Sequence, residues 1–299
     1  MKISGFSFCR NADKYYYPVV ESIRSALPIC DEFVVAVGRG DPDDRTRELI
    51  AGIGDPKIRI IDTEWKDREK LKGWTHSQQT NIALNACTGD WCLYVQSDEV
   101  LHERDLPVLR ARCEQLRDDP RVEGLYFRYL HFWGDYDHVH RSHAWYPTEI
   151  RMIRNGRGIQ SYRSAQSFRR DGHKLRAAAA NADMYHYGWV RPPGVMKRKK
   201  IEMNTTHHGA ASVAGEQPDV PFDYGDLNRI PRFDGTHPAV MREWMARFDW
   251  RDQLNYGRPT DVRHRHDRFK YRVLTVIEQR LLGGNIRLGA QPYRRIRRI

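Results

Sequence analysis

A chain of 299 residues with 40% apolar side chains can bury a full core, either as one large domain or as one domain with an extension. No run approaches the roughly 18 apolar residues that cross a bilayer, and the first residues lack the long apolar stretch of a signal peptide, so a cytoplasmic location is expected. Five cysteines with no CxxC pair argue against a zinc ribbon or a disulfide framework; the cationic surplus, 50 Lys and Arg against 39 Asp and Glu, gathers late and ends in the run Tyr293 to Arg298.

Short apolar strands alternate with amphipathic helices through the first half, the pattern of a mainly parallel sheet covered on both faces. Ile3 to Phe8 reads as the first strand, and Tyr15 to Leu27 as a helix stopped by Pro28. Phe33 to Val37 is a second strand; a polar turn from Gly38 to Asp44 then leads into a helix over Thr46 to Ile53 and a third strand at Ile58 to Ile61. After a looser charged segment, Thr75 to Ala86 reads as a helix, and Trp91 to Val95 as a buried strand ending at Gln96-Ser97-Asp98-Glu99. Beyond it come a helix at Leu106 to Leu116, an aromatic-rich strand at Gly124 to Phe132 and a strand at Glu149 to Arg154. The polar stretch from Gly134 to His143 between those two strands is long enough for a functional loop. Lys197 to Lys200 ride on a further helix; from residue 209 onward a linker and a basic, mainly helical extension are expected, with helices at Pro238 to Phe248 and Phe269 to Leu282.

In open α/β sheets ligands bind beyond the carboxyl ends of the strands, so acids just after a buried strand are placed for chemistry. Asp98 and Glu99 stand there, and carboxylates are hard oxygen donors suited to Mg²⁺ or Mn²⁺ at a diphosphate leaving group. Asp98 could equally cap a following helix.

Several pieces recur in the order found in bacterial family-two glycosyltransferases of the GT-A fold, which this chain resembles over about its first two thirds. They are Ile3 to Phe8 with Arg10-Asn11, Asp31-Glu32-Phe33-Val34-Val35, Asp44-Arg45-Thr46, Gln79-Thr80-Asn81-Ile82-Ala83-Leu84, and Asp90-Trp91 through Asp98-Glu99. The resemblance implies a GT-A domain over 1–208, an extension over 209–299, and inverting transfer of a sugar from a nucleotide-sugar donor to a sugar, lipid-linked or other hydroxyl acceptor, in cell-surface polysaccharide or glycoconjugate synthesis. It implies donor contacts from Arg10, Asn11, Asp44, Gln79, Asn81 and Gln96, with Mn²⁺ or Mg²⁺ held by Asp98. His186, in Tyr185-His186-Tyr187-Gly188-Trp189, matches a histidine that lies near the diphosphate and in some GT-A enzymes binds the metal, which makes it the second metal ligand expected; a buried, hydrogen-bonded histidine is the competing expectation.

The chain departs from the pattern at three places. Gln96 replaces the first acid of the Asp-x-Asp motif, Gly38 replaces an acid that reads the nucleobase and leaves Asp41, Asp43 or Asp44 as substitutes, and Ser164 and Gln166 stand where relatives carry a base. The substitutes for the base are Glu149, Asp135 and Asp137, although Glu149 could instead pair with Arg151 or Arg154. Two other function classes compete. Nucleotidyl transfer wants a glycine-rich phosphate loop, which Cys9 to Asp13 lacks; a basic nucleic-acid or membrane module is suggested by charge alone, and nucleic acid is not the expected partner. The helix at Phe269 to Leu282 carries Phe269, Val273, Leu274, Ile277, Leu281 and Leu282 beside basic residues, and is expected chiefly to pack that apolar face on the core, with chain pairing or peripheral membrane contact as the alternatives.

Overall fold

The computed structural model describes residues 1–65, 74–284, 287–289 and 291–296. Most of the looser charged segment and the final arginines, Arg297 and Arg298, lie outside them. The β-branched and aromatic run Ile3–Cys9 forms β1, the centre of a parallel half-sheet with β2 (Glu32–Gly38), β3 (Ile58–Thr63) and β4 (Trp91–Tyr94). Gly5 lies opposite Phe33 and Leu93, and its missing side chain makes room for the Phe33 ring, which a Cβ would meet at 2.2 Å. Between these strands run α1 (Val19–Ala26), α2 (Thr46–Ala51) and α3 (Trp74–Asn85). α1 starts four residues later than its apolar spacing suggests, because Tyr16 has a left-handed φ of 56° and Pro18 follows.

Asp98 caps nothing, for a short strand β5 (Glu99–Leu101) follows it, and α4 (Leu106–Gln115) comes only later. β6 (Gly124–Trp133), the two-residue β7 (Val139–His140) and β8 (Thr148–Arg154) then extend the sheet. β8 runs antiparallel between β4 and β6, so the expected mainly parallel sheet has a mixed second half. A hairpin region of β9 (Ile159–Tyr162), β10 (Ser167–Arg170) and β11 (His173–Lys174) forms a separate small sheet. The longest strand, β12 (Arg176–Trp189), went unread, since its start is a run of four alanines with little β preference. α5 (Pro193–His208) closes the first 208 residues.

The expected boundary at 208 does not divide the core. Phe222, Tyr224, Leu227, Met241, Trp244 and Trp250 are buried in one cluster with Phe132, Trp133 and Tyr187. β13 (Arg294–Arg295) pairs with β12 at the sheet edge, and Tyr293 stacks on Tyr126 at 4.9 Å. The segment after 208 is also less helical than expected. It is mostly single 3₁₀ turns, with a one-turn α6 (Arg242–Met245) and α7 (Phe269–Leu281) ended by Gly283 and Gly284 at φ of 66° and 74°. The chain is thus an α/β fold whose sheet order is 13-12-6-8-4-1-2-3, helices lie between its strands, and no described helix is long and apolar enough to cross a membrane.

Candidate active site

The ends of β1 and β4, the end of β12 and the face of α5 enclose a cleft of about 360 Å³. Asp98 enters it just past β4 and His186 from β12, because β12 pairs with β5 so that His186 lies opposite Glu99. The Asp98 Oδ2 and His186 Nε2 atoms are 3.8 Å apart, too far for a hydrogen bond.

A chain of hydrogen bonds fixes which nitrogen of His186 carries the proton. The Tyr146 carbonyl can only accept, so His131 Nε2 donates to it at 2.8 Å and His131 Nδ1 is left as an acceptor. His186 Nδ1 then donates to His131 Nδ1 at 3.0 Å, which leaves the His186 Nε2 lone pair turned toward the Asp98 carboxylate. Burial pushes His186 toward its neutral form against the pull of Asp98, and burial does the same to His131. Burial alone would raise the Asp98 carboxyl, but the charges of His186, Lys199 and Arg191 outweigh it and hold Asp98 below the usual range. With His186 neutral, the cations Lys199 and Arg191 carry that effect.

Two electron-pair donors thus face each other across a gap, and Gly188 keeps the gap open. A Cβ on Gly188 would lie 2.6 Å from Asp98 Oδ2 and 2.7 Å from His186 Nε2, filling the space that both atoms address. An oxygen and a neutral imidazole nitrogen around one cradle fit Mn²⁺, and the carboxylate alone is the donor suited to Mg²⁺. Lys199 borders the same gap, with Nζ 3.8 Å from Asp98 Oδ2 and donating to the Gly188 carbonyl at 2.7 Å. Burial lowers its ammonium to about 7, with Arg191 adding to the fall and Asp98 opposing it. Glu99 is not part of this pair. It is wholly buried, receives both Arg151 nitrogens at 2.7 and 2.8 Å and the Tyr129 hydroxyl at 2.6 Å, and ties β5 to β8 and β6.

Of the residues expected to touch the donor, Arg10, Asn11 and Gln96 line the cleft. Asp44, Gln79 and Asn81 do not: Asp44 accepts from the Thr46 hydroxyl at 2.8 Å within the turn that opens α2, whereas Gln79 accepts from Thr63 at 2.5 Å and Asn81 from the Ser161 amide at 2.8 Å, each joining one element to another. Gly38 also has a steric role, since its bare Cα admits the Trp65 indole, which a Cβ would meet at 2.3 Å. Trp65, Phe8 and His76 form an aromatic corner with ring centroids 5.4–6.1 Å apart, and the Arg10 guanidinium lies 5.4 Å from the Trp65 ring. Trp145, Tyr146 and Trp189 supply aromatic surface elsewhere on the wall.

The expected bases fall outside the cleft lining. Asp135 is buried in its own loop, where its carboxylate accepts from the Asp137 and His138 amides, the His138 ring and the Tyr256 hydroxyl. Asp137 is half-exposed and pairs with Arg251 at 3.2 Å. Glu149 is fully buried; one oxygen accepts from the Ile150 amide and the other has no partner, while Arg151 is taken by Glu99. Burial raises Glu149 to about 7 against the pull of Arg151. Among the described residues, the carboxylates that line the cleft are Asp98 and Glu202, the latter on the same face of α5 as Lys199 and Met203. Sequence reasoning missed Glu202, Trp65, His76 and Gly188. A glycine inside an aromatic strand was the one legible signal among them.

No protein-family model matches the sequence, and no curated protein is similar to it in sequence. Among solved structures, glucosyl-3-phosphoglycerate synthase from Mycobacterium tuberculosis, in complex with Mn²⁺, UDP and phosphoglyceric acid, is 18% identical over 44% of this chain and 43% of its own, with a TM-score of 0.30. S. aureus TarS is 14% identical over 69% of this chain and 39% of its own, at 0.38, and its 1-349 form in complex with UDP is 15% identical over 69% and 65%, at 0.39. This chain therefore spans less than half the length of the synthase and of full TarS.

Proposed function

We propose that the chain is a glycosyltransferase that moves a sugar from a nucleoside-diphosphate donor to an acceptor hydroxyl with inversion, using Mn²⁺ or Mg²⁺. One observation carries the reading: Asp98 and His186 present a carboxylate and a lone pair to a cradle that Gly188 holds open, at the strand-end position where α/β sheets bind ligands. Held there, a divalent ion supplies positive charge to the departing diphosphate.

The protein's own groups account for the rest. The Trp65, Phe8 and His76 corner offers ring faces to the nucleobase, with Arg10 stacked on Trp65. Trp145, Tyr146 and Trp189 offer rings to the sugars and exclude water from their apolar faces. In transfer the acceptor oxygen attacks the anomeric carbon opposite the diphosphate; the new C–O bond forms as the sugar–phosphate bond breaks. The acceptor proton passes to a carboxylate. We assign this to Glu202, the carboxylate that Asp98's role leaves free among the described residues of the cleft, and read the buried Glu149, which is not in the lining, as a structural acid. We extend the proposal to polysaccharide or glycoconjugate synthesis, the products that transfer to a sugar or lipid-linked hydroxyl would give.

Calorimetry of the full chain with nucleoside diphosphates, with and without Mn²⁺, tests the reading. Nucleotide binding that needs the metal is the expected result. Absence of binding to every diphosphate, together with no donor hydrolysis across a panel of nucleotide sugars, would sink it.

A further inference from the structure

Helix α7 packs inside out. At 100° per residue, Tyr271, Thr275, Glu278 and Gln279 share the inward side, and they hold the helix to the loop before β8 by polar contacts. Glu278 meets His143 Nδ1 at 2.6 Å, the Thr275 hydroxyl accepts from the His143 amide at 2.9 Å, and Gln279 donates to the Arg141 carbonyl at 3.1 Å. Phe269, Val273 and Val276 point the other way, while Leu274, Ile277 and Leu282 are half-buried. Phe269 is 82% exposed, Leu281 75%, Val276 55% and Val273 42%, and no residue of α7 belongs to any of the three hydrophobic clusters or packs on them.

Arg268, Lys270 and Arg272 stand beside this stripe and Arg280 ends it one turn past Val276, all exposed and none in an ion pair among the described residues. The helix's single acid, Glu278, is buried on the inward side. We propose that α7 is an in-plane anchor that lays Phe269, Val273 and Val276 into the surface of a bilayer containing anionic lipid, with the flanking cations at the headgroups. An apolar stripe edged by cations is the composition of interfacial helices, and burial of the stripe in lipid supplies the apolar partner that the protein does not. Charge selects lipid over a second copy of the chain, because two such faces brought together would oppose arginine to arginine. The proposal is independent of the donor chemistry.

Flotation of the full chain with vesicles tests it, comparing phosphatidylcholine alone with phosphatidylcholine containing about one-third phosphatidylglycerol. The wild type should float with the anionic vesicles and not with the neutral ones. Phe269→Ser with Val273→Ser and Val276→Ser should cut partition roughly tenfold or more, as should Arg272→Glu with Arg280→Glu, since each set removes one of the two attractions. Because these side chains are exposed, an unchanged thermal midpoint verifies that each variant is folded. The proposal is overturned if the wild type fails to float at low salt, or if the apolar triple variant floats undiminished, which would mean only diffuse adhesion of a chain with net charge +11. It is equally overturned if sedimentation shows a dimer that the triple variant dissolves.

Discussion

Among the described residues two Asp–His pairs have both partners buried, and they differ in what their lone pairs do. In the loop after β6, Asp135 and the His138 ring touch at 2.8 Å, and the remaining capacity of the carboxylate is filled by two amides and the Tyr256 hydroxyl. Past the ends of β4 and β12, Asp98 and His186 stop 3.8 Å apart, and a glycine keeps the space between them clear. Both pairs are buried, so burial does not separate structure from chemistry. Unfilled valence does: a saturated pair holds a loop, and a pair left facing a gap is placed to hold something else.

The sharpest way to break this contrast is to remove each aspartate in turn. Asp135→Ala strands two amides, a ring and a hydroxyl, and should lower unfolding free energy by about 3 kcal/mol or more in denaturant titration, while metal-dependent nucleotide affinity of the folded fraction stays within a few fold. Asp98→Asn should do the reverse, with at least ~100-fold loss of metal-dependent nucleotide affinity by calorimetry and little change in the thermal midpoint. Gly188→Ala should mimic the Asp98 variant, since its methyl would stand 2.6 Å and 2.7 Å from the two donor atoms. Equal losses of stability from the two aspartate variants would erase the distinction.

Glu149 is an intermediate case, with one oxygen satisfied and one not. Burial lifts it from 4.5 to about 7, so the native state binds its proton more tightly than the unfolded chain does, and stability is lost as pH rises from about 4.5 through about 7. Glu149→Gln removes that loss and should stabilise the protein by roughly 2–3 kcal/mol at pH 8 while changing little at pH 4. If Glu149 were instead the base, the same variant would abolish turnover, whereas on the reading above Glu202→Gln does so. The smallest effect concerns tautomer control. His131→Phe removes the acceptor that fixes the His186 proton on Nδ1, and should weaken Mn²⁺ binding about tenfold with metal-free nucleotide binding unchanged.

The parallel half of the sheet was legible because its strands are short apolar runs between turn residues, and Asp98 stood out as an acid after a buried strand. β12 was not, because alanines carry no strand signal and its pairing with β6 is set by distant partners. The site was half legible for the same reason. Arg10, Asn11, Gln96, Asp98 and His186 come together in the cleft, whereas Gln79 and Asn81 spend their side chains joining elements and Asp44 bonds within the turn that opens α2. Whether a polar side chain faces a cleft or a neighbouring strand depends on long-range register, which local sequence does not encode. α7 misled differently: its apolar spacing was read as a buried face, but the tertiary structure offers that side of the helix no apolar partner.

The polar seating of α7 also bears on how the native state breathes. Among the described residues α7 belongs to none of the main apolar clusters and is seated largely by a handful of hydrogen bonds, so it can lift away at a small fraction of the global unfolding free energy. Its main attachment, His143, lies two residues from Trp145, which lines the cleft. Amide hydrogens of α7 should therefore exchange as a separate, faster unit than those of β12, and each opening would loosen one aromatic wall of the site while the sheet stays intact.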